Sequence, residues 1–222
     1  MKAFIRSLPA PAEFVLVLLL GFGLGIAFQA WAITHQAMIV ATDSLMTWDT
    51  VLKLVELGAI LWIGRIRGWS VATFGWRISW KGTAGGILLF IVVTLAKILV
   101  GISLARLHPQ PPGFVIAGLT LPVIILVSVI NPFFEELLEA GYFFHFLKRH
   151  GMWLVVLAGG LFRGMLHLYQ GINGATAIFA GGVIISLTYW RWRQLWPLVV
   201  AHVLDDFIGL LSLRHAASGS RF

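Results

Sequence analysis

Residues 131–144 read NPFFEELLEAGYFF, a stretch that sets three carboxylates, Glu135, Glu136 and Glu139, in an apolar surrounding. Most of its other side chains are Phe and Leu, as in a segment that faces lipid or a hydrophobic core. An ionised carboxylate in such a place costs several kcal/mol unless it has a partner or water beside it. The fold must therefore supply polar partners to these residues.

The composition indicates a membrane protein. The 222 residues are 59% hydrophobic and 11% charged, and the mean hydropathy of +0.92 is far above that of ordinary soluble domains. The net charge of +7 comes from Lys and Arg in short spacers between apolar segments. We therefore expect the lipid bilayer, and no nucleic acid, as a partner. Cysteine is absent, which excludes disulfides, thiolate metal sites and a thiol nucleophile.

Apolar runs of near-spanning length predict an all-α fold, a polytopic transmembrane helical bundle with about seven spans. Roughly 20 helical residues cross the hydrocarbon core, and the segments lie at residues 13–33, 47–64, 82–104, 114–146, 151–169, 174–190 and 195–213. The fourth is too long for one span, which predicts a break at Pro122 or Pro132. Residues 65–82, rich in Trp and Arg, suit a helix or loop in the interface. With no linker in the sequence, residues 1–222 are predicted to form a single integral membrane domain.

The distribution of Lys and Arg predicts the orientation. A cytoplasmic N-terminus puts ten cations inside and three outside, as the positive-inside rule requires. The ten are Lys2, Arg6, Arg65, Arg67, Arg77, Lys81, Lys148, Arg149, Arg191 and Arg193, and the three are Arg106, Arg214 and Arg221. We expect a multi-pass protein of the cell inner membrane or plasma membrane. An alternative is a signal peptide, because the first apolar run ends in Ala30-Trp31-Ala32, similar to a cleavage site.

Ionisable residues gather on three of the predicted spans. Helix residues four apart project from one face, and the pairs Arg163 with His167, His202 with Asp206, and Glu135 with Glu139 have this spacing. Counted from the cytoplasmic ends of their segments, the three groups share one depth. A lone intramembrane His or Glu often only joins two helices, but that explanation needs one partner each, not a cluster. The members are Glu135, Glu136, Glu139, His145, Arg163, His167, His202, Asp205 and Asp206.

Several protease chemistries are excluded by the motifs. The sequence has no HExxH zinc motif and no GxSxG nucleophile motif, and Asp205 and Asp206 share one segment instead of facing each other from two. Glutamate and histidine remain. A buried Glu can take a proton from water, and a His can donate a hydrogen bond to the oxyanion of an attacked carbonyl.

Three motifs in order resemble those of the CPBP or Abi family, which includes the CAAX prenyl endopeptidases and bacteriocin-processing enzymes. The family's EExxxR resembles EELLEAGY from Glu135, its FxxxH resembles LFRGMLH ending at His167, and its HxxxN/D matches His202 to Asp206. The resemblance covers roughly residues 115–210. It implies an intramembrane endopeptidase acting on a peptide or membrane-protein substrate. Glu135 and His167 would activate water, Glu136 would support them, and His202 with Asp206 would form the oxyanion site. No metal or other cofactor is required, although two His and several carboxylates do not exclude one.

The chain departs from the family's motifs at two positions. Ala140 stands where the family has Arg, and Arg163 stands where the second motif has Phe. We expect these departures to compensate, with Arg163 supplying the missing guanidinium and pairing with Glu136. Asp206 is expected to orient His202 rather than to donate to the oxyanion itself.

We assign no chemical role to the remaining polar residues. Glu139 matches no family position and is expected at the cavity rim or against an Arg. Lys53, Glu56 and Lys97 are expected to snorkel or to pair with one another. The small residues of GINGATAIFAGG, residues 171–182, favour close helix packing and would equally serve a homodimer face.

Two other functions stay open at this point. A non-catalytic family member, acting as an immunity or partner-regulating membrane protein, would use the polar cluster only to hold helices together. A proton-coupled transporter would also place paired carboxylates in the membrane. The sequence shows no inverted repeat, which counts against the transporter.

Overall fold

The computed structural model describes residues 1–110 and 113–219, and helices dominate it. They are α1 (Lys2–Ser7), α2 (Ala10–Thr34), α3 (Asp43–Arg67), α4 (Trp80–Leu107), α5 (Leu121–Glu135), α6 (Phe143–Leu147), α7 (Met152–Leu166), α8 (Ile172–Trp192) and α9 (Trp196–Gly219). Each of the seven apolar segments is helical over most of its length, and the fold class, an all-α membrane bundle, is confirmed.

The span count of about seven is approximate. Five helical stretches are long and apolar enough to cross a membrane, namely Ala10–Thr34, Trp80–Leu107, Leu121–His150, Ile172–Trp192 and Trp196–Ala217. The other two are α3 and α7. Helix α3 is long enough but carries Asp49, Lys53 and Glu56 in its apolar part. Helix α7 has only 15 residues, about 22 Å of helix, against a hydrocarbon core of about 30 Å.

The predicted break in the fourth segment lies at Pro122. A short strand β2 (Phe114–Ile116) comes first, and α5 starts at Leu121 with Pro122 in its first turn, where a missing N–H costs nothing. Pro132 stays inside α5. A π-helical segment, Glu136–Tyr142, and α6 follow it directly.

The segment at residues 65–82 packs against the protein. Helix α3 ends at Gly68 in the left-handed conformation, and a single 3-10 turn follows at Val71–Phe74. Trp69 and Phe74 are buried, with ring centroids 5.2 and 6.3 Å from that of Tyr142. Trp69 and Phe74 of this predicted interface segment thus point into the bundle and close one end of it, whereas Ile78 and Trp80 are exposed.

The connections at the opposite end meet in a small sheet. Strand β1 (Ile39–Ala41) pairs in parallel with β2, and the Asp43 carboxylate accepts a hydrogen bond of 2.9 Å from the Thr120 backbone N–H. The long helices alternate in direction. The ten cations predicted to be cytoplasmic therefore lie at the end of the bundle opposite the sheet, where α1 also lies. Arg106 and Arg214 fall at the sheet end, and Arg221 lies outside the described residues. Which end faces the cytoplasm stays a prediction.

Small residues bring α7 and α8 together within the chain. A Cβ on Gly182 would lie 3.0 Å from the Arg163 Cδ and 3.1 Å from the Gly160 Cα, and one on Gly181 would lie 3.1 Å from the Val93 side chain of α4. The residue 171–182 stretch therefore packs inside the monomer. Whether two copies of the chain associate stays a prediction.

Candidate active site

The three glutamates are buried where α5 passes into the π-helical segment. Glu135 is 9% exposed, Glu136 0% and Glu139 1%. A π-helix closes its hydrogen bonds one residue later than an α-helix, and such segments are frequent at functional sites. Glu139 lies within electrostatic range of Glu135, and it shares a cation with Glu136.

That cation is Arg163 of α7, which is 4% exposed. Its Nη1 and Nη2 donate hydrogen bonds of 2.8 and 2.6 Å to the two carboxylate oxygens of Glu136. Nη1 also lies 2.8 Å from Glu139 Oε2. The predicted pair between Arg163 and Glu136 is present, and Glu139 reaches an Arg as expected. A fork of this kind is the strongest arrangement available to an Arg and a carboxylate.

His202 of α9 lies among three carboxylates. Its Nδ1 is 2.8 Å from Glu136 Oε1, while its Nε2 is 3.5 Å from Asp206 Oδ1 and 3.8 Å from Glu135 Oε2. Ionised carboxylates only accept hydrogen bonds, so Nδ1 carries the proton that Glu136 accepts, while a proton on Nε2 would face Asp206 and Glu135 at distances too long for a good hydrogen bond. Glu136, not Asp206, is the closest group that orients His202.

His167 follows the last residue of α7. Its Nδ1 is 2.9 Å from the Arg163 carbonyl oxygen, which can only accept, so Nδ1 carries the proton and Nε2 is the nitrogen able to take one. The ring stacks on Tyr169 with centroids 5.8 Å apart. In the part of the chain that the structure describes, no direct hydrogen bond joins His167 to Glu135, although the two lie within electrostatic range.

Sequence reasoning missed two members of the cluster, Lys53 and Asn131. The Lys53 ammonium donates to Asn131 Oδ1 and lies 3.6 Å from Glu135 Oε1. The Asn131 amide in turn donates to Asp206 Oδ2 at 3.1 Å. Asn131 stands four residues before Glu135, on the same helical face, and that spacing was the available signal.

The expectation that Lys53, Glu56 and Lys97 snorkel or pair with one another was wrong for both lysines. Lys53 takes part in the cluster described above. Lys97 of α4 forms an ion pair with Asp205 of α9, whose other carboxylate oxygen accepts from Thr94 at 3.3 Å. Asp205 thereby leaves the candidate site, because its partners lie on α4.

His145 lies apart from this cluster, near the end of the bundle that holds α1. Its ring centroid is 5.6 Å from that of Phe74. It lines a cavity of about 250 Å³ together with Glu13, Arg67 and Tyr142. The Arg67 Nε donates a 2.5 Å hydrogen bond to Glu13, which joins α2 to α3 at this end.

Among residues 1–110 and 113–219, no three His, Asp or Glu side chains are grouped in a way that could hold a metal ion. That the reaction needs no metal stays a prediction, which chelation can test.

Four helices of a membrane bundle thus converge on buried acids, imidazoles and cations, which defines a membrane protein with an acid–base site inside it. Residues 117–208 match the family described as type II CAAX prenyl endopeptidase, Rce1-like. This range holds the residues of all three motifs, and the predicted resemblance to the CAAX prenyl endopeptidases is confirmed over it. No curated protein and no solved structure matches the chain.

Proposed function

We propose that the chain is an intramembrane endopeptidase that hydrolyses a peptide bond with water activated by Glu135 and His167. One observation carries the proposal: the Glu135 carboxylate lies 3.8 Å from His202 Nε2, while the Glu136 carboxylate, 2.8 Å from Nδ1, fixes the imidazole. Amide hydrolysis needs a base for water next to a donor for the oxyanion. Glu135 and His202 supply that combination.

Glu135 is suited to the role of base. Its Oε2 is buried and accepts no hydrogen bond from the protein groups that the structure describes, so this oxygen can receive a proton from the attacking water. The water oxygen then bonds to the carbonyl carbon, and the carbonyl π electrons move to its oxygen. His167 Nε2 is a second acceptor that can orient the same water.

His202 is suited to the oxyanion site. With both nitrogens protonated and Nδ1–H held by Glu136, its Nε2–H is available to the negative charge that forms on the carbonyl oxygen, because Asp206 and Glu135, at 3.5 and 3.8 Å, lie too far away for good hydrogen bonds. When this tetrahedral intermediate collapses, the C–N bond breaks and the leaving nitrogen takes the proton that Glu135 received. Glu136 supports the step by holding the imidazole, and Arg163 holds Glu136.

The contacts of Glu135 also argue against the non-catalytic alternative. A carboxylate that only joins helices is expected to make short, direct bonds. The closest cation and imidazole contacts of Glu135 are 3.6 Å to Lys53 and 3.8 Å to His202, longer than any hydrogen bond of good geometry. Glu136, which accepts hydrogen bonds of 2.8 and 2.6 Å from Arg163, is the glutamate placed to join helices. Glu139 lies 2.8 Å from Arg163, but its oxygens, like Glu135 Oε2, accept no hydrogen bond from the groups that the structure describes.

The substrate we propose is a peptide or membrane-protein segment that reaches the site from the bilayer. The family's description names prenylated CAAX sequences, which makes a C-terminal CAAX tail with a prenyl-cysteine the first candidate. Its lipid would lie among the apolar side chains of the bundle while the following peptide bond meets Glu135.

Purified protein in liposomes tests this directly. Two peptides with the same C-terminal CAAX sequence, one farnesylated at its Cys and one not, are incubated with the proteoliposomes in water enriched in oxygen-18. We expect cleavage of the farnesylated peptide, with the heavy oxygen in the new C-terminal carboxylate by mass spectrometry. Folded protein that cleaves neither peptide, nor a transmembrane peptide added as a third substrate, would contradict the proposal.

A further inference from the structure

Helix α3 lies outside the residues that match the family, yet it places a cation in the site. The Lys53 ammonium contacts groups from two helices: it donates to Asn131 Oδ1 on α5, and it lies 3.1 Å from Asp49 Oδ2 and 3.6 Å from Glu135 Oε1. Its side chain is 19% exposed. The ammonium is thus directed into the cluster rather than towards the end of the helix.

The charges of the cluster show why a second cation is needed there. It holds four carboxylates, those of Glu135, Glu136, Glu139 and Asp206. Arg163 contacts Glu136 and Glu139 only, which leaves Glu135 and Asp206 without it. Buried carboxylates close together cannot all stay ionised unless cations lie among them.

Lys53 faces the two carboxylates that Arg163 does not contact. Its contact with Glu135 is direct, and its contact with Asp206 runs through Asn131, whose carbonyl oxygen accepts from Lys53 while its amide donates to Asp206 at 3.1 Å. Besides the His202 imidazole, which lies among Glu135, Glu136 and Asp206, the four carboxylates are therefore shared between two long basic side chains, one from α7 and one from α3.

We propose that Lys53, with Asn131, is a positioning residue that keeps the Glu135 carboxylate aimed at the substrate. The inference rests on the proposed function in taking Glu135 as the base. It makes α3 part of the catalytic apparatus of this chain, in addition to the helices that carry the family motifs.

A purely structural role for Lys53 has a matched control within the chain. Lys97 also forms an ion pair with an Asp across two helices, α4 and α9, and no contact of the described residues joins it to Glu135. If both lysines only hold helices together, Lys53→Met and Lys97→Met should both change stability, and neither should lower kcat. If Lys53 positions the base, only Lys53→Met lowers kcat.

The first experiment measures kcat and KM with the farnesylated CAAX peptide. Lys53→Met should lower kcat about 10- to 100-fold, part of the roughly 10² to 10⁴ that general-base catalysis supplies, with KM nearly unchanged. Lys53→Arg should keep a larger share of kcat, and Lys97→Met should keep nearly all of it. Equal kcat in Lys53→Met and wild type, or an equal fall in Lys97→Met, would overturn the inference. Lys53→Gln, which keeps a bond to Asn131 without charge, serves if Lys53→Met does not fold.

A second experiment does not depend on cleavage. In the infrared difference spectrum between Lys53→Met and wild type, we expect a shift of a carboxylate stretching band, because the ammonium 3.6 Å from Glu135 Oε1 is removed. The shift should be absent when both proteins also carry Glu135→Gln. Lack of the shift would overturn the inference. If the shift is present but wild-type protein cleaves no peptide, the positioning of Glu135 by Lys53 holds and the proposed function fails.

Discussion

The buried bond between Arg163 and Glu136 gives the sharpest prediction about stability. Arg163→Met keeps much of the side-chain length and removes the guanidinium, which donates bonds of 2.8 and 2.6 Å to Glu136. Glu136, fully buried, then keeps only His202 as a partner. Removing one member of a buried pair costs about 3–5 kcal/mol, because the other charge stays buried without compensation. That cost is a factor of about 10² to 10⁴ in the unfolding equilibrium, at tenfold for each 1.4 kcal/mol.

Unfolding by SDS in mixed micelles measures this free energy, and the 10 Trp residues provide the fluorescence signal. The double variant Arg163→Met/Glu136→Gln should lose less than the sum of the two single variants, with a coupling of about 2–3 kcal/mol as for residues in one network. Arg163→Lys is the matched control. It keeps the charge but not the planar fork, so its loss should be intermediate.

A loss below about 1 kcal/mol in Arg163→Met, the level of exposed ion pairs, would refute this reasoning. Additive losses in the double variant would do so as well, because they would mean that Arg163 and Glu136 do not depend on each other.

Three further predictions concern packing, metal and topology. Gly182→Val should displace Arg163, whose Cδ lies 3.0 Å from the position of a Cβ there, and lower both stability and cleavage, whereas Gly101→Val, with open space around it, should not. Cleavage should survive exhaustive chelation, and a loss restored by one added metal ion would show a metal-dependent reaction. Because the chain has no Cys, single cysteines can map its topology: a membrane-impermeant maleimide added outside cells should label Gln36→Cys, while His150→Cys should react only after permeabilisation. The opposite pattern would reverse the predicted orientation.

The helices could be predicted because the length of an apolar run is a local property that the bilayer fixes. Strands β1 and β2 could not be predicted, since three residues each are too few to show a period. The path of Glu136–Tyr142 was also beyond prediction, because α-helical spacing was assumed where the structure has a π-helix.

The site was predictable where both partners lie in motifs. Depth placed Arg163 and His202 level with the glutamates, and the departures from the family motifs at Ala140 and Arg163 predicted the pair with Glu136. The structure joins Glu136, Arg163 and His202 directly. Lys53 was missed because its partners in the site, Asn131 and Glu135, lie 78 and more residues further along the chain, and no periodicity within α3 indicates which side chain of another helix its ammonium meets. Packing between helices decides that contact, and a single sequence cannot predict such packing without the fold.

Glu135→Gln tests the central claim most directly, because it removes the proposed base while keeping the shape of the side chain. Cleavage and the free energy of unfolding are measured on the same preparation, with Glu56→Gln on α3 as the control for the substitution itself. We predict that cleavage falls by at least about 10²-fold, as for loss of a general base, while stability changes by less than about 1 kcal/mol, since the contacts of Glu135 are long. Unaltered cleavage together with a large loss of stability would show that Glu135 holds helices together and activates no water.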